Sequence, residues 1–330
     1  MTPTIDPEAI VVAEELRRLR LREPQRFDVL AMFPLCGLDR ADPKHLTLSE
    51  ALARECVSFS EVSPRARVHE LLFRNRSRQE VLLLDGDELV GAKQNRVLTS
   101  TVLVAPRSTL RIPVACVERG RWWSSSGVTD ENRMLFAHGR AGSMSAVDAS
   151  LRATGERRTD QLEIWRLIGT KVAGFRADAK TEAMAELYRH LRSPLGEYQS
   201  AFSAEVHQVG AVFLAYGRAV GLELFDSTRT LRAALPRLVG SYAIDALETP
   251  RRLVPAARED LAQSFLKQVA AMPGTRFAGV GLGAEFRLRA HGLVGEALVA
   301  NGRLVHLSAL PTRRDDARGG SSLDLVTRAA

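Results

Sequence analysis

The sequence predicts an α+β protein. Its N-terminal half is predicted to be an antiparallel β-sandwich or barrel, followed by a helical insert and a smaller C-terminal sheet. Three observations support this class. Short runs rich in Val, Leu and Thr, separated by turn residues, succeed one another between residues 68 and 118. Helical periodicity dominates from about residue 145 to residue 272. Strand-like runs then return from residue 276, and Asn301-Gly302 between the last two is a strong hairpin signal.

The N-terminal half begins with a predicted amphipathic helix over residues 7–22, which Pro24 stops. Thr47 and Glu50 have the spacing of a capping box, so a short helix is expected from there to about Arg54. The strands of the predicted sandwich follow at residues 68–74, 80–85, 97–105 and 109–118. Turn residues at 75–77 and 105–108 separate them.

The C-terminal half contains four predicted helices, at residues 160–172, 181–191, 230–247 and 258–272. Pro194 is expected to break the second of them. Two strands are predicted around Gly217-Arg218, and three more at residues 276–289, 293–300 and 303–307. These patterns divide the chain into an N-terminal helix (1–26), a β-rich domain (27–144), an α+β region packed on it (145–310) and a disordered polar tail (311–330).

The composition is that of a soluble globular protein, with 330 residues, 45% of them hydrophobic and 26% charged. The sequence has neither an apolar run long enough to span a bilayer nor an apolar N-terminal segment typical of a signal peptide. We therefore expect a cytoplasmic protein without a membrane partner. The net charge is +7, but basic and acidic residues are interspersed, which disfavours nucleic acid as a partner. The sequence leaves the oligomeric state open.

The cysteines and histidines do not form a metal motif. The three cysteines, Cys36, Cys56 and Cys116, stand far apart among apolar neighbours, as reduced core residues do. The seven histidines contain no HxH or HxxxH pair, so zinc is not expected. A magnesium ion held by carboxylates stays open, and the cofactor is unknown.

Two segments concentrate polar side chains next to apolar strands. The first is GDELVGAKQNR (86–96), which follows the apolar run 81–84, and the second is IPVACVERGRWW (112–123). So many polar groups are expected beside buried strands only where they find partners or converge on a ligand. Because the strands 97–105 and 109–118 are predicted to form a hairpin, Arg96 and Glu118 at their far ends would meet.

These segments also carry a family resemblance. The strings LLLDGDELVGAKQNRVL, IPVACVERGRW, QLEIW (161–165), GLELFD and SYAIDAL (241–247) resemble the bacterial ARG-and-rhodanese-phosphatase-superfamily-associated protein domain family, in which ARG stands for ADP-ribosylglycohydrolase. The resemblance covers most of residues 45–248. The family's function is uncharacterised, and its association with NAD- and ADP-ribose-processing enzymes implies a nucleotide or ADP-ribose-like phosphate as the ligand.

The residues themselves are compatible with such a ligand. Arg96, Arg121 and Lys93 could clamp a phosphate, and Trp122 offers a flat face for a base. Asp87 or Glu118 could act as the general base of a hydrolysis. The remaining predicted ligand-binding residues are Glu88, Gln94 and Asn95. The alternative is a non-catalytic interaction or scaffold module, in which the same polar cluster is a structural network. Gly279–Gly283, Glu223, Asp226 and Trp165 are weaker candidates.

Overall fold

The structure is a computed structural model that describes residues 7–40, 43–62, 69–91, 94–119, 133–177, 181–248 and 257–312. These residues contain eight helices and seventeen strands, which confirms the predicted α+β class. The helices are α1 (Pro7–Arg18), α2 (Leu48–Ala53), α3 (Ala137–Thr154), α4 (Gln161–Gly174), α5 (Met184–His190), α6 (Arg192–Ala201), α7 (Thr228–Glu248) and α8 (Glu259–Ala270).

The strands form three sheets. In chain order they are β1 (Arg20–Leu21), β2 (Gln25–Phe27), β3 (Leu30–Cys36), β4 (His45–Thr47), β5 (Val57–Glu61), β6 (Glu70–Asn75), β7 (Glu80–Leu83), β8 (Glu88–Leu89), β9 (Arg96–Leu98), β10 (Val102–Val104), β11 (Ser108–Cys116), β12 (Gln208–Ala215), β13 (Arg218–Phe225), β14 (Gly274–Ala278), β15 (Ala284–Ala290), β16 (Leu293–Ala300) and β17 (Arg303–Pro311).

The largest sheet has nine strands in the order β1-β3-β12-β13-β17-β16-β15-β14, with β2 also paired to β3. Alternate side chains of its strands enter two different cores, because successive residues point to opposite faces. Phe33 and Val212 pack with Phe265 of α8 on one face. Met32 and Phe213 face a second core that includes residues of α3, α4 and α7. Helices therefore cover both faces, which explains why every residue of β12 is buried.

The other two sheets form the predicted sandwich. The sheet β10-β7-β4 and the sheet β5-β6-β11-β9-β8 enclose a third core. The side chains that fill it alternate with residues directed elsewhere along each strand, and they include Leu46, Phe59, Phe73, Val81, Leu98, Val104, Ile112 and Val114. The pairing is antiparallel except between β4 and β7, which run parallel.

Several local predictions are confirmed. Thr47 caps α2 and accepts a hydrogen bond from the Glu50 amide, while the Glu50 carboxylate accepts one from the Thr47 amide, so the capping box is complete. The predicted turn between β12 and β13 has positive φ angles at Tyr216 and Gly217. Asn301 and Gly302 repeat that pattern between β16 and β17, with φ angles of 52° and 68°. This backbone fits a two-residue hairpin turn.

The strand predicted at residues 97–105 is wrong as a single element. It is divided into β9, which pairs with β11, and β10, which pairs with β7 in the other sheet. The chain passes from one sheet to the other at residues 99–101, where its polar groups form hydrogen bonds with residues outside the sandwich. The Thr101 amide donates to the Glu296 carboxylate at 2.9 Å, and the Ser100 hydroxyl accepts from Arg287 at 2.6 Å.

The C-terminal sheet is larger than predicted, because β1, β2 and β3 join it from the N-terminal part of the chain. Phe33 of β3 lies opposite Val212 of β12. The predicted boundary at residue 144 therefore does not coincide with a boundary between sheets, and the division into four segments stays a prediction. Pro194 also does not end a helix. It lies in the first turn of α6, where a missing amide hydrogen costs little.

The glycine-rich segment Gly279–Gly283 is the connection between β14 and β15. Its Leu282 amide donates to the Leu103 carbonyl of β10 at 2.8 Å, so the loop seals the contact between the sandwich and the nine-stranded sheet. It does not open a helix as a phosphate-binding fingerprint does. None of the helices in the described ranges has the length and apolar character needed to cross a bilayer.

Candidate functional site

The adjoining ends of β8, β9 and β11 hold a group of polar side chains that we call the strand-end cluster. Its members are Glu88, Gln94, Asn95, Arg96, Cys116 and Glu118. Arg96 lies directly opposite Cys116 in the pairing of β9 with β11, and Glu118 follows two residues later. The structure thus brings Arg96 and Glu118 together. The cause is the one expected from antiparallel pairing, although the chain between the two strands leaves for another sheet.

Hydrogen bonds join the cluster internally. The main-chain amide of Asn95 donates to the Glu118 carboxylate at 2.8 Å, and the side-chain amide of Asn95 donates to the Glu88 carboxylate at 3.1 Å. The Gln94 side chain donates to the Glu118 carbonyl at 3.3 Å. Burial raises the pKa of Glu88, and its ion pair with Arg133 opposes that shift. A carboxyl group held in this way is already occupied by protein partners.

Arg96 is the exception in this well-connected group. Its side chain is fully buried and donates from Nη1 to the Gln94 amide oxygen at 2.8 Å. Nη2 lies 3.7 Å from Glu61, beyond hydrogen-bond distance, and neither Nε nor Nη2 has a hydrogen-bond partner among the residues that the structure describes. Buried donors are rarely left unpaired, because losing water without gaining an acceptor costs roughly 1–3 kcal/mol or more for a charged group. The unpaired edge of this guanidinium is therefore suited to an external acceptor.

Cys116 anchors the cluster to helix α4. Its main-chain amide donates to the Gln161 side-chain oxygen, and its carbonyl accepts from the Gln161 side-chain nitrogen, both at 2.8 Å. The thiol donates to Gln94 at 3.1 Å. Burial raises the pKa of this thiol, so it stays protonated and behaves as a structural group.

Asp87 is held by other partners. Its carboxylate accepts from Arg237 of α7 at 2.7 Å and from the Leu84 amide at 3.0 Å. Adjacent residues of a strand point to opposite sides, which accounts for the separation of the Asp87 side chain from that of Glu88. Asp87 thus fixes the turn after β7 to helix α7. Its predicted role as a general base stays a prediction, as does that of Glu118.

Three of the predicted ligand-binding residues, Lys93, Arg121 and Trp122, lie outside the described residues. Within the described ranges, no group of three or more His, Cys, Asp or Glu residues is arranged to hold a metal ion.

A second group of polar residues was only partly foreseen from the sequence. We call it the buried ion network, and it lies where the sandwich meets the nine-stranded sheet. Its members are almost completely buried and are Asp85, Thr101, Arg140, Glu223, Arg287, Glu296 and His306. Arg140 of α3 donates to Glu223 at 2.7 Å and contacts Asp85 at 3.4 Å. His306 lies between Thr101, at 3.0 Å, and Glu223, at 3.2 Å.

The network drives the pKa values of its two central carboxyl groups apart. Burial, followed by the charge of Glu296, raises the pKa of Asp85 from 3.8 to about 8. Burial also acts on Glu223, but Arg140 and His306 outweigh it and hold the pKa at about 2. Asp85 is therefore protonated and Glu223 ionised near neutral pH, which limits the number of charges buried together.

The sequence contained a weak signal for this network. Glu223 stands in GLELFD and Glu296 in LVGEALVA, so each is one acid within an apolar strand. Such an acid is buried on at least one side and needs a cation or a donor nearby. Their partners Arg140 and Arg287 stand in unrelated segments, and only the three-dimensional arrangement pairs them.

One comparison with known proteins gives a match. The model of the ARG and Rhodanese-Phosphatase-superfamily-associated Protein domain matches residues 18–310. No curated protein and no solved structure matches the chain.

Proposed function

Because the chain belongs to the family of ARG and Rhodanese-Phosphatase-superfamily-associated Protein domains, we propose that it binds a phosphorylated nucleoside of the ADP-ribose or NAD type at the strand-end cluster. Hydrolysis is the simplest reaction for such a ligand, with Glu118 or Asp87 as the general base and Arg96 on a phosphate. Lys93 and Arg121 would complete the clamp, while Gln94, Asn95 and Trp122 would contact the base or ribose.

The observation that supports this proposal is the state of Arg96. It is fully buried, yet within the described ranges Nε and Nη2 have no hydrogen-bond partner. A phosphate group accepts two parallel hydrogen bonds from a guanidinium, one on each of two oxygens. A ligand anion would thus supply the acceptors that the described residues do not provide at this position.

Thermal unfolding with ADP-ribose, NAD and AMP tests the proposal. A ligand that binds only the folded state adds about 2.7 kcal/mol at a hundredfold excess over Kd, which raises the melting temperature measurably. We expect the shift in the wild type and in an Arg111→Gln control, because Arg111 is an exposed arginine in the half of β11 away from Cys116. The shift should be lost in Arg96→Gln. If this panel moves the melting temperature of neither wild type nor control, the nucleotide proposal fails.

A second candidate is a non-catalytic scaffold module, and the buried ion network favours it. There Arg140 of α3 pairs with Glu223 of the nine-stranded sheet and with Asp85 next to the sandwich strand β7, and neither Arg140 nor Glu223 has exposed surface. The two functions differ in what Arg96→Gln does to the protein without ligand. A binding residue can be replaced at little cost in stability, and sometimes with a gain. If the strand-end cluster is itself a structural network of this kind, Arg96→Gln should instead cost about 3–5 kcal/mol, because it removes one member of the Arg96–Glu61 pair.

A further inference from the structure

The open edge of Arg96 faces a group of side chains at one end of the sandwich. Arg96 and Cys116 are opposite each other, as are Leu98 and Val114, so these side chains leave the same face of the five-stranded sheet. The Val114 amide donates to the His69 carbonyl at 3.0 Å, one step beyond the pairing of Pro113 with Glu70. His69 therefore belongs to that face as well. We call this group, together with Trp165, the sandwich-end recess.

Trp165 closes the recess from helix α4. The double hydrogen bond from Gln161 to Cys116 fixes the start of α4 against the end of β11. Residues four positions apart lie on the same side of a helix, so Trp165 faces the same strand end as Gln161. Its indole nitrogen lies near the Cys116 thiol, which is only a weak acceptor, and lowers the pKa of the thiol against the larger effect of burial.

Each wall of the recess contributes a buried nitrogen that has no nitrogen or oxygen acceptor among the described residues. These nitrogens are Nε and Nη2 of Arg96, Nδ1 of His69 and Nε1 of Trp165. The indole nitrogen can only donate, and a neutral imidazole donates from whichever nitrogen carries its hydrogen. Burial lowers the pKa of His69, and the charges of Arg158 and Arg96 lower it further, so the recess contains a neutral imidazole.

We propose that the sandwich-end recess binds the diphosphate group of the ligand, with His69 and Trp165 as binding residues beside Arg96. The proposal rests on the proposed function, because the diphosphate is that of an ADP-ribose-type nucleotide. The donors come from three separate elements, β9, α4 and the start of β6, and an anion with oxygens on two phosphorus atoms can reach all three. Arg158, an exposed residue paired with Glu156, lies on the His69 side and adds positive charge there.

Glu61 provides a test that distinguishes anion binding at Arg96 from a purely structural role. Its carboxylate lies 3.7 Å from Nη2 of Arg96 and would repel an incoming anion. Replacing it with glutamine removes that repulsion and should tighten the binding of a diphosphate. If Arg96 and Glu61 were only a structural pair, the same change would leave anion binding as it was.

Isothermal titration calorimetry of the full chain with inorganic pyrophosphate, and separately with ADP-ribose, tests whether the recess binds a diphosphate. Trp165→Phe keeps an aromatic ring but removes the indole donor, and His69→Phe removes the imidazole. Each should weaken pyrophosphate binding roughly ten- to a hundredfold, the usual effect of one hydrogen bond to a charged group. Glu61→Gln should strengthen it severalfold, and the exposed Arg111→Gln should leave it unchanged.

The outcomes separate the two proposals. If pyrophosphate binding depends on Trp165 and His69 but ADP-ribose and NAD do not bind, the recess stands and the nucleotide function falls. If ADP-ribose binds the wild type and both variants equally, the nucleotide function stands and the recess is wrong. The recess is also wrong if pyrophosphate does not bind the wild type. Cooperative melting of each variant excludes a trivial loss through unfolding.

Discussion

Arg140 donates to Glu223 at 2.7 Å where helix α3 meets strand β13, and neither side chain has any exposed surface. Desolvating two charges is expensive, and a pair of this kind is most costly to the fold when only one member is removed. Arg140 also contacts Asp85 after β7 and the Ser308 hydroxyl of β17. One arginine therefore ties together a helix, the sandwich and the nine-stranded sheet.

We predict that Arg140→Met lowers the free energy of unfolding by about 3–5 kcal/mol, because it leaves Glu223 as a buried charge without its main partner. Urea denaturation measures the change. Arg166→Met is the control, since Arg166 pairs with Glu163 on the exposed side of α4 and should change stability by about 0.5 kcal/mol or less. Equal losses in the two variants would contradict a structural role for the network.

The protonation of Asp85 should make the free energy of unfolding decrease as the pH rises. The pKa of this carboxyl is about 8 in the folded protein, chiefly through burial and then through Glu296 and Glu223, against the opposing charges of Arg140 and Arg287. Between about pH 4 and pH 8 the unfolded chain releases this proton and the folded protein keeps it. Stability should therefore fall as the pH rises through this window.

Asp85→Asn cannot ionise and should flatten that part of the profile, measured as the free energy of unfolding at pH 5, 6, 7 and 8. Glu223 acts in the opposite direction, because its pKa is lowered to about 2. The stabilisation that ionised Glu223 provides is fully present above pH 4.5 and is lost only as the pH falls toward 2, outside the measured range. Parallel profiles for wild type and Asp85→Asn would show that Asp85 is ionised in the folded protein.

Asp87 is expected to stabilise the folded protein whether or not it takes part in catalysis. Its carboxylate is the partner of Arg237, which is buried, and of the Leu84 amide. Asp87→Ala is expected to cost about 3–5 kcal/mol of unfolding free energy, because Arg237 is left as an unpaired buried cation. The double variant Asp87→Ala, Arg237→Met should recover part of the loss. Failure of the second change to recover any stability would argue against the pair.

Gln161→Leu should detach the start of α4 from β11. Two hydrogen bonds of 2.8 Å to the Cys116 main chain are lost, and the buried amide of Cys116 is left without an acceptor. We expect a loss of about 1–3 kcal/mol and faster hydrogen exchange at the Cys116 amide. Gln268→Leu on the exposed side of α8 is the matched control and should change neither quantity by much.

Gly281→Ala should destabilise the protein without affecting ligand binding. A Cβ atom at this position would lie 2.1 Å from the Leu103 carbonyl oxygen, which belongs to the backbone and cannot turn away. We expect a loss of about 1–3 kcal/mol from the enforced backbone shift. Gly174→Ala, where a Cβ meets nothing within 4 Å, should not destabilise. A lost ligand response in a folded Gly281→Ala protein would reinstate this loop as a phosphate-binding segment.

The elements that the sequence predicts well are those with local causes. The capping box of Thr47 and Glu50 and the turn at Asn301-Gly302 each depend on residues within a few positions, so their signals can be read directly. The closeness of Arg96 to the end of β11 was also predicted in outline from antiparallel pairing, although the predicted hairpin is wrong, because β10 lies between the two strands in the chain and belongs to another sheet.

The elements that were missed depend on distant partners. Strand β3, LAMFPLC, has no alternation because helices cover both faces of its sheet, and its neighbour β12 lies far along the chain. The break at Thr99–Thr101 exists because Glu296 and Arg287 supply partners from the other sheet. No pattern within one segment indicates which acid an arginine such as Arg140 will meet.

The contact between Thr101 and Glu296 spans 195 residues of chain. At 5–20 residues per second, a ribosome makes the second residue roughly 10–40 s after the first. The strands of the sandwich are therefore all synthesised before Arg140, Arg287 and Glu296, which are the later partners of Asp85, Ser100 and Thr101. During that interval the side of the sandwich that will pack on the nine-stranded sheet is exposed to water. It can reach its final packing only after the last hairpin, β16–β17, has left the ribosome.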